Sequence, residues 1–167
     1  MSRGFVKEDD QEEVPMVPPR AHLPAGVPNY VTQAGMDELL AERQTLMNEK
    51  ENLDISSENE RRIALNHITA KLQLLNNRIS EAKIIDLKEQ PWDEIRFGAT
   101  VTIKTEGTND IQTFQIVGVD ETNLSMGKIS FLSPLARVLT NKKVGDKVVL
   151  KRPKGDQVLE IINITYG

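Results

Sequence analysis

Along residues 65–82 the apolar positions Leu65, Ile68, Leu72, Leu75, Ile79 and Ala82 alternate at spacings of three and four. That is an a/d seam, a stripe so narrow that another helix must cover it. A shorter seam precedes it: Leu39, Leu46 and Leu53 recur every seven residues, with Leu40 and Met47 beside them. The polar break between them, Asp54-Ile55-Ser56-Ser57-Glu58-Asn59, is only long enough to reverse the chain. The pattern predicts an antiparallel helical hairpin, a short coiled coil, over residues 32–86. Thr32 is placed as N-cap of the first helix, with Val31 and Met36 as a hydrophobic staple. That helix should run to about Leu53, a length of roughly 30 Å. Ser57-Glu58-Asn59-Glu60 fits the S-x-x-E capping box of a second helix, which continues to about Ile85 before Pro91 limits it.

From Phe97 onward the period changes to two. Val101/Ile103, Phe114/Ile116 and Val158/Glu160/Ile162/Ile164 alternate as strands with one buried face do. The strands expected are 98–104, 112–119, 128–132, 147–151 and 157–166, and Ser133-Pro134 opens a short helix between the third and fourth. Residues 97–167 therefore read as a small, mainly antiparallel β domain carrying one helix, with 87–96 as linker. The fold class is α+β. Residues 1–31 differ from both parts. An acidic run over 7–13 leads into Pro15, Pro18, Pro19, Pro24 and Pro28, a density that favours extended backbone over ladders. This extension is expected to be largely disordered, with residues 1–13 mobile. The alternative is a strap that lays Val14, Val17, Leu23, Val27 and Tyr30 along the folded body.

Composition narrows the function. The net charge of −4 argues against general nucleic-acid binding through phosphates, although Lys142, Lys143, Lys147, Lys151, Arg152 and Lys154 form a basic cluster. With no cysteine there is no disulfide framework, thiol nucleophile or cysteine zinc site. No signal peptide or membrane-length apolar run appears, so a soluble cytoplasmic protein without membrane contact is expected. Aromatic content is only 4%, leaving aliphatic side chains to build the core.

Catalytic motifs are absent: no G-x-S-x-G, H-E-x-x-H, phosphate loop or G-x-G-x-x-G is present. His22 and His67 read as surface residues, and Trp92 as an anchor between hairpin and sheet. The one constellation to weigh is Glu49, Glu51, Asp54, Glu58 and Glu60 around the hairpin turn. Carboxylates held close at a tip share a hard divalent cation when a partner supplies further oxygens. Capping and dipole preferences account for the same acids without any metal.

Four ordered stretches of the β domain resemble the Gre family of bacterial transcription elongation factors. They are Phe97-Gly98-Ala99-Thr100-Val101, Ile116-Val117-Gly118-Val119-Asp120-Glu121, Ser133-Pro134-Leu135-Ala136-Arg137 and Val144-Gly145-Asp146. The hairpin agrees in type, Ile84-Ile85-Asp86 is similar to the family's exit from its second helix, and residues 1–31 lie outside the resemblance. The resemblance implies an FKBP-like β domain that docks on RNA polymerase beside its secondary channel. Ser133, Pro134, Leu135, Ala136 and Arg137 are then the candidate partner-binding residues. In cleavage-promoting members, tip acids help to hold a catalytic magnesium ion in the polymerase's own active site, which makes Asp54 and Glu58 the candidates here.

Three departures from the family pattern shape the expectation. The family's tip reads Gly-Asp-x-x-Glu-Asn, whereas this chain lacks the glycine and has one residue more between Asp54 and Glu58. The hairpin is also shorter by about two heptads, so each arm falls roughly 10 Å short, while a magnesium ligand must lie within about 2.1 Å of the ion. Leu132 stands where a polar residue is common. The expected protein is a monomeric Gre-like factor, itself no enzyme and without a metal or other cofactor. It would bind RNA polymerase through its C-terminal domain and regulate elongation by occupancy, meeting nucleic acid only through the polymerase. The rivals are transcript-cleavage stimulation through Asp54 and Glu58, a prolyl isomerase, and a homomeric coiled-coil module. Few aromatics are available for a proline pocket.

Overall fold

The computed structural model describes residues 16–167, so the expected mobility of residues 1–13 and the strap position Val14 lie outside the described residues. The described chain divides into two compact units, residues 16–20 with 39–81, and residues 21–38 with 82–167.

The first unit is built on two helices, α1 (Gln33–Glu51), which enters it from the second unit, and α2 (Glu58–Glu81). Only six residues, 52–57, join them, as the polar break requires. Leu39, Leu46, Ile68, Leu72 and Leu75 are buried, whereas Leu40, Met47 and Leu74 remain exposed. These five heptad positions are withdrawn from water, while Leu53, Leu65, Ile79 and Ala82 are half-buried. Ser57 starts α2: its Oγ accepts the Glu60 N–H at 3.4 Å and its carbonyl accepts the Arg61 N–H at 2.9 Å. Arg20, from the proline-rich leader, pairs with Glu42 of α1 at 2.5 Å.

The second unit holds two sheets. In the smaller one β1 (Asn29–Val31) pairs in parallel with β2 (Ala82–Ile84), matching Asn29 to Ala82 and Val31 to Ile84. In the larger one β3 (Thr100–Thr105), β4 (Ile111–Val117), β5 (Lys128–Ser130), β6 (Lys147–Leu150) and β7 (Gln157–Thr165) stand in the order β5-β4-β3-β7-β6. Inward side chains Val101, Ile103, Ile116, Ile129, Leu159 and Ile161 form its core, and α3 (Pro134–Leu139) adds the fully buried Ala136 and Leu139.

The larger sheet is mainly antiparallel, as expected, with one parallel pair, β5 on β4. The link over 118–127, with 3-10 turns at Val119–Glu121 and Leu124–Met126, carries the chain back so that β5 starts beside Gln115 and runs alongside the last residues of β4. Three details differ from expectation. The second helix ends at Glu81, since Ala82–Ile84 is taken into β2. The leader is no extension over its whole length: Asn29 and Val31 are buried, and the Val31 carbonyl accepts the Ile85 N–H at 2.9 Å. Trp92 is 83% exposed on a turn, not buried as an anchor would be.

Candidate functional site

The Ser133–Arg137 stretch divides by role. Ser133 caps α3, its Oγ accepting the Ala136 N–H at 3.2 Å and its carbonyl the Arg137 N–H at 3.0 Å. Pro134 at the first helical turn lacks the N–H that would otherwise be orphaned. Ala136 is fully buried and Leu135 packs half-buried against the core. That leaves Pro134 and Arg137 as the exposed members of the five. Among the described residues no ion pair or side-chain hydrogen bond holds the Arg137 guanidinium.

Arg137 lines an open cavity of about 560 Å³ in the second unit. Three rings form one wall. Tyr30 lies 5.8 Å from Phe97 and 5.6 Å from Phe131 between centroids, and Phe97 meets Phe131 edge-on at 5.6 Å. Such tilted and edge contacts suit the ring quadrupoles. Arg96 is the second cation of the lining, and Gln90 Nε2 donates to the Phe97 carbonyl at 2.9 Å. The Arg96 guanidinium is paired with Glu94 at 2.9 Å. Its backbone N–H donates to Tyr166 Oη at 2.7 Å, and that hydroxyl donates to the Glu94 carbonyl at 2.6 Å. Burial pushes the Tyr166 phenol above its ordinary value, outweighing the Arg96 N–H bond and guanidinium, which act to lower it. Among the described residues no carboxylate lines the cavity; its lining is apolar, neutral polar and cationic.

Tyr30, Phe97, Phe131 and Arg96 were not among the candidates read from the sequence. The few aromatics of the β domain, chiefly Phe97, Phe114, Phe131 and Tyr166, offer little material for a proline pocket, yet Phe97 and Phe131 converge here with Tyr30. The available signal was weak: two of the rings flank motif stretches, Phe97 opening one and Phe131 standing two residues before Ser133.

At the tip, Asp54 and Glu58 are exposed, one in the connection and one in the first turn of α2. The described residues contain no group of three or more acids, histidines or cysteines arranged to hold a metal ion. A shallow depression beside the tip brings Glu49 and Asp54 to one lining with Asn48 and Asn52. In the basic cluster, Lys143 pairs with Asp93 at 3.6 Å and Lys147 with Glu106 at 3.4 Å, so part of that charge is balanced locally. His22 is exposed and His67 half-buried.

The family model described as "Transcription elongation factor, GreA/GreB, C-term" matches residues 89–166. The chain is 40% identical over 100 residues to the transcription elongation factor GreA of Maricaulis maris, covering 60% of this chain and 64% of that relative. It is 39% identical over 99 residues to the factor of the same name from Hyphomonas neptunium, covering 59% and 63%. The chain thus spans just under two thirds of the length of these relatives. Among solved structures, Gfh1 of Thermus thermophilus matches 81% of this chain and 97% of its own at 23% identity, with a TM-score of 0.39. GreA/GreB of Nitrosomonas europaea matches 82% and 97% at 19% identity, with a TM-score of 0.42. These relatives correct one expectation. The sequence reads as no enzyme, but its relatives are named transcription elongation factor GreA, and the lack of catalytic motifs does not decide the matter against them.

Proposed function

We propose, from the match of residues 89–166 to the GreA/GreB C-terminal family model, that the chain is a Gre-type transcription elongation factor acting on RNA polymerase near its secondary channel. The C-terminal domain does the binding, with Arg137 and Pro134 as contacts and Ser133, Leu135 and Ala136 as the scaffold that presents them. The protein works as a cytoplasmic monomer and meets nucleic acid through the polymerase. The observation that carries this reading is Arg137, an exposed guanidinium on a cavity that carries an aromatic wall and that no carboxylate of the described residues lines. A guanidinium with no partner among the described residues suits a carboxylate on another protein.

Regulation is by occupancy of the docking site, with a hairpin of 19 and 24 helical residues. The name shared by the relatives favours a second reading, in which Asp54 and Glu58 lend oxygens to a magnesium ion in the polymerase. One experiment separates the two. Wild type, Arg137→Ala and Asp54→Ala/Glu58→Ala are added to stalled, backtracked complexes, and capture and RNA 3′ ends are both measured. Occupancy predicts capture that Arg137→Ala weakens and slower cleavage by an added long-hairpin factor, with the tip variant behaving as wild type. Shortened RNA with wild type alone, abolished in the tip variant, establishes the second reading in its place. No capture of wild type refutes both.

A further inference from the structure

We infer that Tyr30 is a specificity-determining residue of the docking cavity, which accepts an acidic polypeptide segment presenting an apolar side chain only while strand β1 is paired. This rests on the polymerase-docking reading above. Phe97 and Phe131 come from the C-terminal domain, but the ring that meets both of them comes from the segment before α1. The wall is therefore shared between parts of the chain 67 and 101 residues apart.

The backbone gives Tyr30 little freedom. Its neighbours Asn29 and Val31 are 2% and 3% exposed, and in an extended strand alternate side chains take opposite faces. Burial of those two turns the Tyr30 ring to the cavity side. The pairing of Tyr30 with Lys83 fixes its position along β2. On the other side Gly118 is indispensable: a Cβ there would sit 2.4 Å from the Tyr30 carbonyl oxygen, inside any tolerable contact. Gly118 has an ordinary negative φ of −70°, so its value lies in space, not in backbone freedom.

The occupant follows from the lining. Three rings offer a surface for one apolar side chain, the arrangement that makes aromatic pockets the anchors of protein interfaces. Arg96 is already paired with Glu94, whereas Arg137 is available to a carboxylate. With no acid of the described residues in the lining, an anionic segment meets no repulsion from it.

The test is a titration of labelled full-length protein with core RNA polymerase, alongside thermal unfolding of each variant. Tyr30→Ala is expected to weaken binding about tenfold or more, the loss typical of a central aromatic anchor, and Tyr30→Phe to bind within about threefold of wild type. Should Tyr30→Ala lower the melting temperature, Tyr30→Leu keeps an apolar side chain on β1 and replaces it. Loss with Leu and retention with Phe then supports the inference. Equal binding of wild type, Leu and Phe variants overturns it while leaving the docking reading intact. Failure of wild type to bind removes the docking reading itself. Binding that is unchanged between low and high salt overturns the acidic character assigned to the segment.

Discussion

The Thr32 hydroxyl donates a 2.6 Å hydrogen bond to Glu121 Oε1, joining residues 89 positions apart at the start of α1. The same oxygen accepts the Gly35 N–H at 2.9 Å, so one threonine caps the helix and binds a carboxylate. Both side chains belong to buried residues, and Lys128 Nζ approaches the other carboxylate oxygen at 3.4 Å. A carboxylate at a helix N-terminus is also favoured by the helix dipole. Glu121 is thus a buried charge with a donor, a cation and a dipole arranged around it.

Removing the donor should be expensive. Thr32→Ala loses the cap, about 1 kcal/mol, and leaves a buried carboxylate short of one hydrogen bond, roughly a further 1–3 kcal/mol. Urea unfolding should show a destabilisation of about 2–4 kcal/mol, with Thr32→Ser retaining most of the stability. A Thr32→Ala protein as stable as wild type would mean that the hydroxyl carries none of this contact.

Gly35 makes room for that carboxylate. A Cβ at Gly35 would lie 2.6 Å from Glu121 Oε1 and 3.4 Å from Thr32 Oγ1. On helix propensity alone Gly35→Ala stabilises by up to about 1 kcal/mol. The charge-assisted hydrogen bond it displaces is worth roughly 1.5–3 kcal/mol, so the net effect is a loss of about 1 kcal/mol. In a Glu121→Ala background the obstruction is gone and the same substitution should stabilise. A double-mutant cycle measures this reversal of sign; the same sign in both backgrounds would refute it.

In the hairpin the contrast lies between neighbours. Leu75 is fully buried, whereas Leu74 is 36% exposed. Leu75→Ala should cost about 2–5 kcal/mol and Leu74→Ala no more than about 0.5 kcal/mol, both read from chemical unfolding. Comparable losses would mean that the helices meet on a different face.

Leu75 also shows what made the fold legible. Its place in a three–four spacing signals burial within a few residues, and Val101 and Ile103 do the same for β3 at period two. The Thr32 and Ser57 caps are equally local, and both are formed. What the chain did not disclose depends on distant pairing. A three-residue strand such as Asn29–Val31 has no period to detect, and its partner lies 53 residues away. Proline density masked it further. Glu121 looks like any surface acid until α1 is seen above it. At the candidate site the Ser133–Arg137 motif was visible as a unit, but its division into scaffold and exposed contacts requires knowing which face α3 buries. Tyr30 was legible only as a hydrophobic strap position, since ring convergence follows from β1 pairing and Gly118, not from spacing.

Tyr166 supplies a dependence on pH. Its hydroxyl accepts the Arg96 N–H and donates to the Glu94 carbonyl, tying the last strand to the turn that carries Arg96. Burial raises the phenol above its ordinary value of 10.0. In the unfolded chain the proton is lost near that value, while the folded protein keeps it to higher pH. The unfolded state therefore binds fewer protons in this range, and stability falls as pH rises. The contribution is complete below about 10 and disappears as pH climbs through the folded pKa. An ultraviolet phenolate titration of the Tyr30→Phe variant isolates Tyr166 and should place its midpoint above the ordinary value. Tyr166→Phe should abolish this part of the alkaline loss and cost about 1 kcal/mol at neutral pH, because the Arg96 N–H loses its acceptor. A Tyr166 midpoint at or below the ordinary value would show that the Arg96 guanidinium and N–H, rather than burial, govern the hydroxyl.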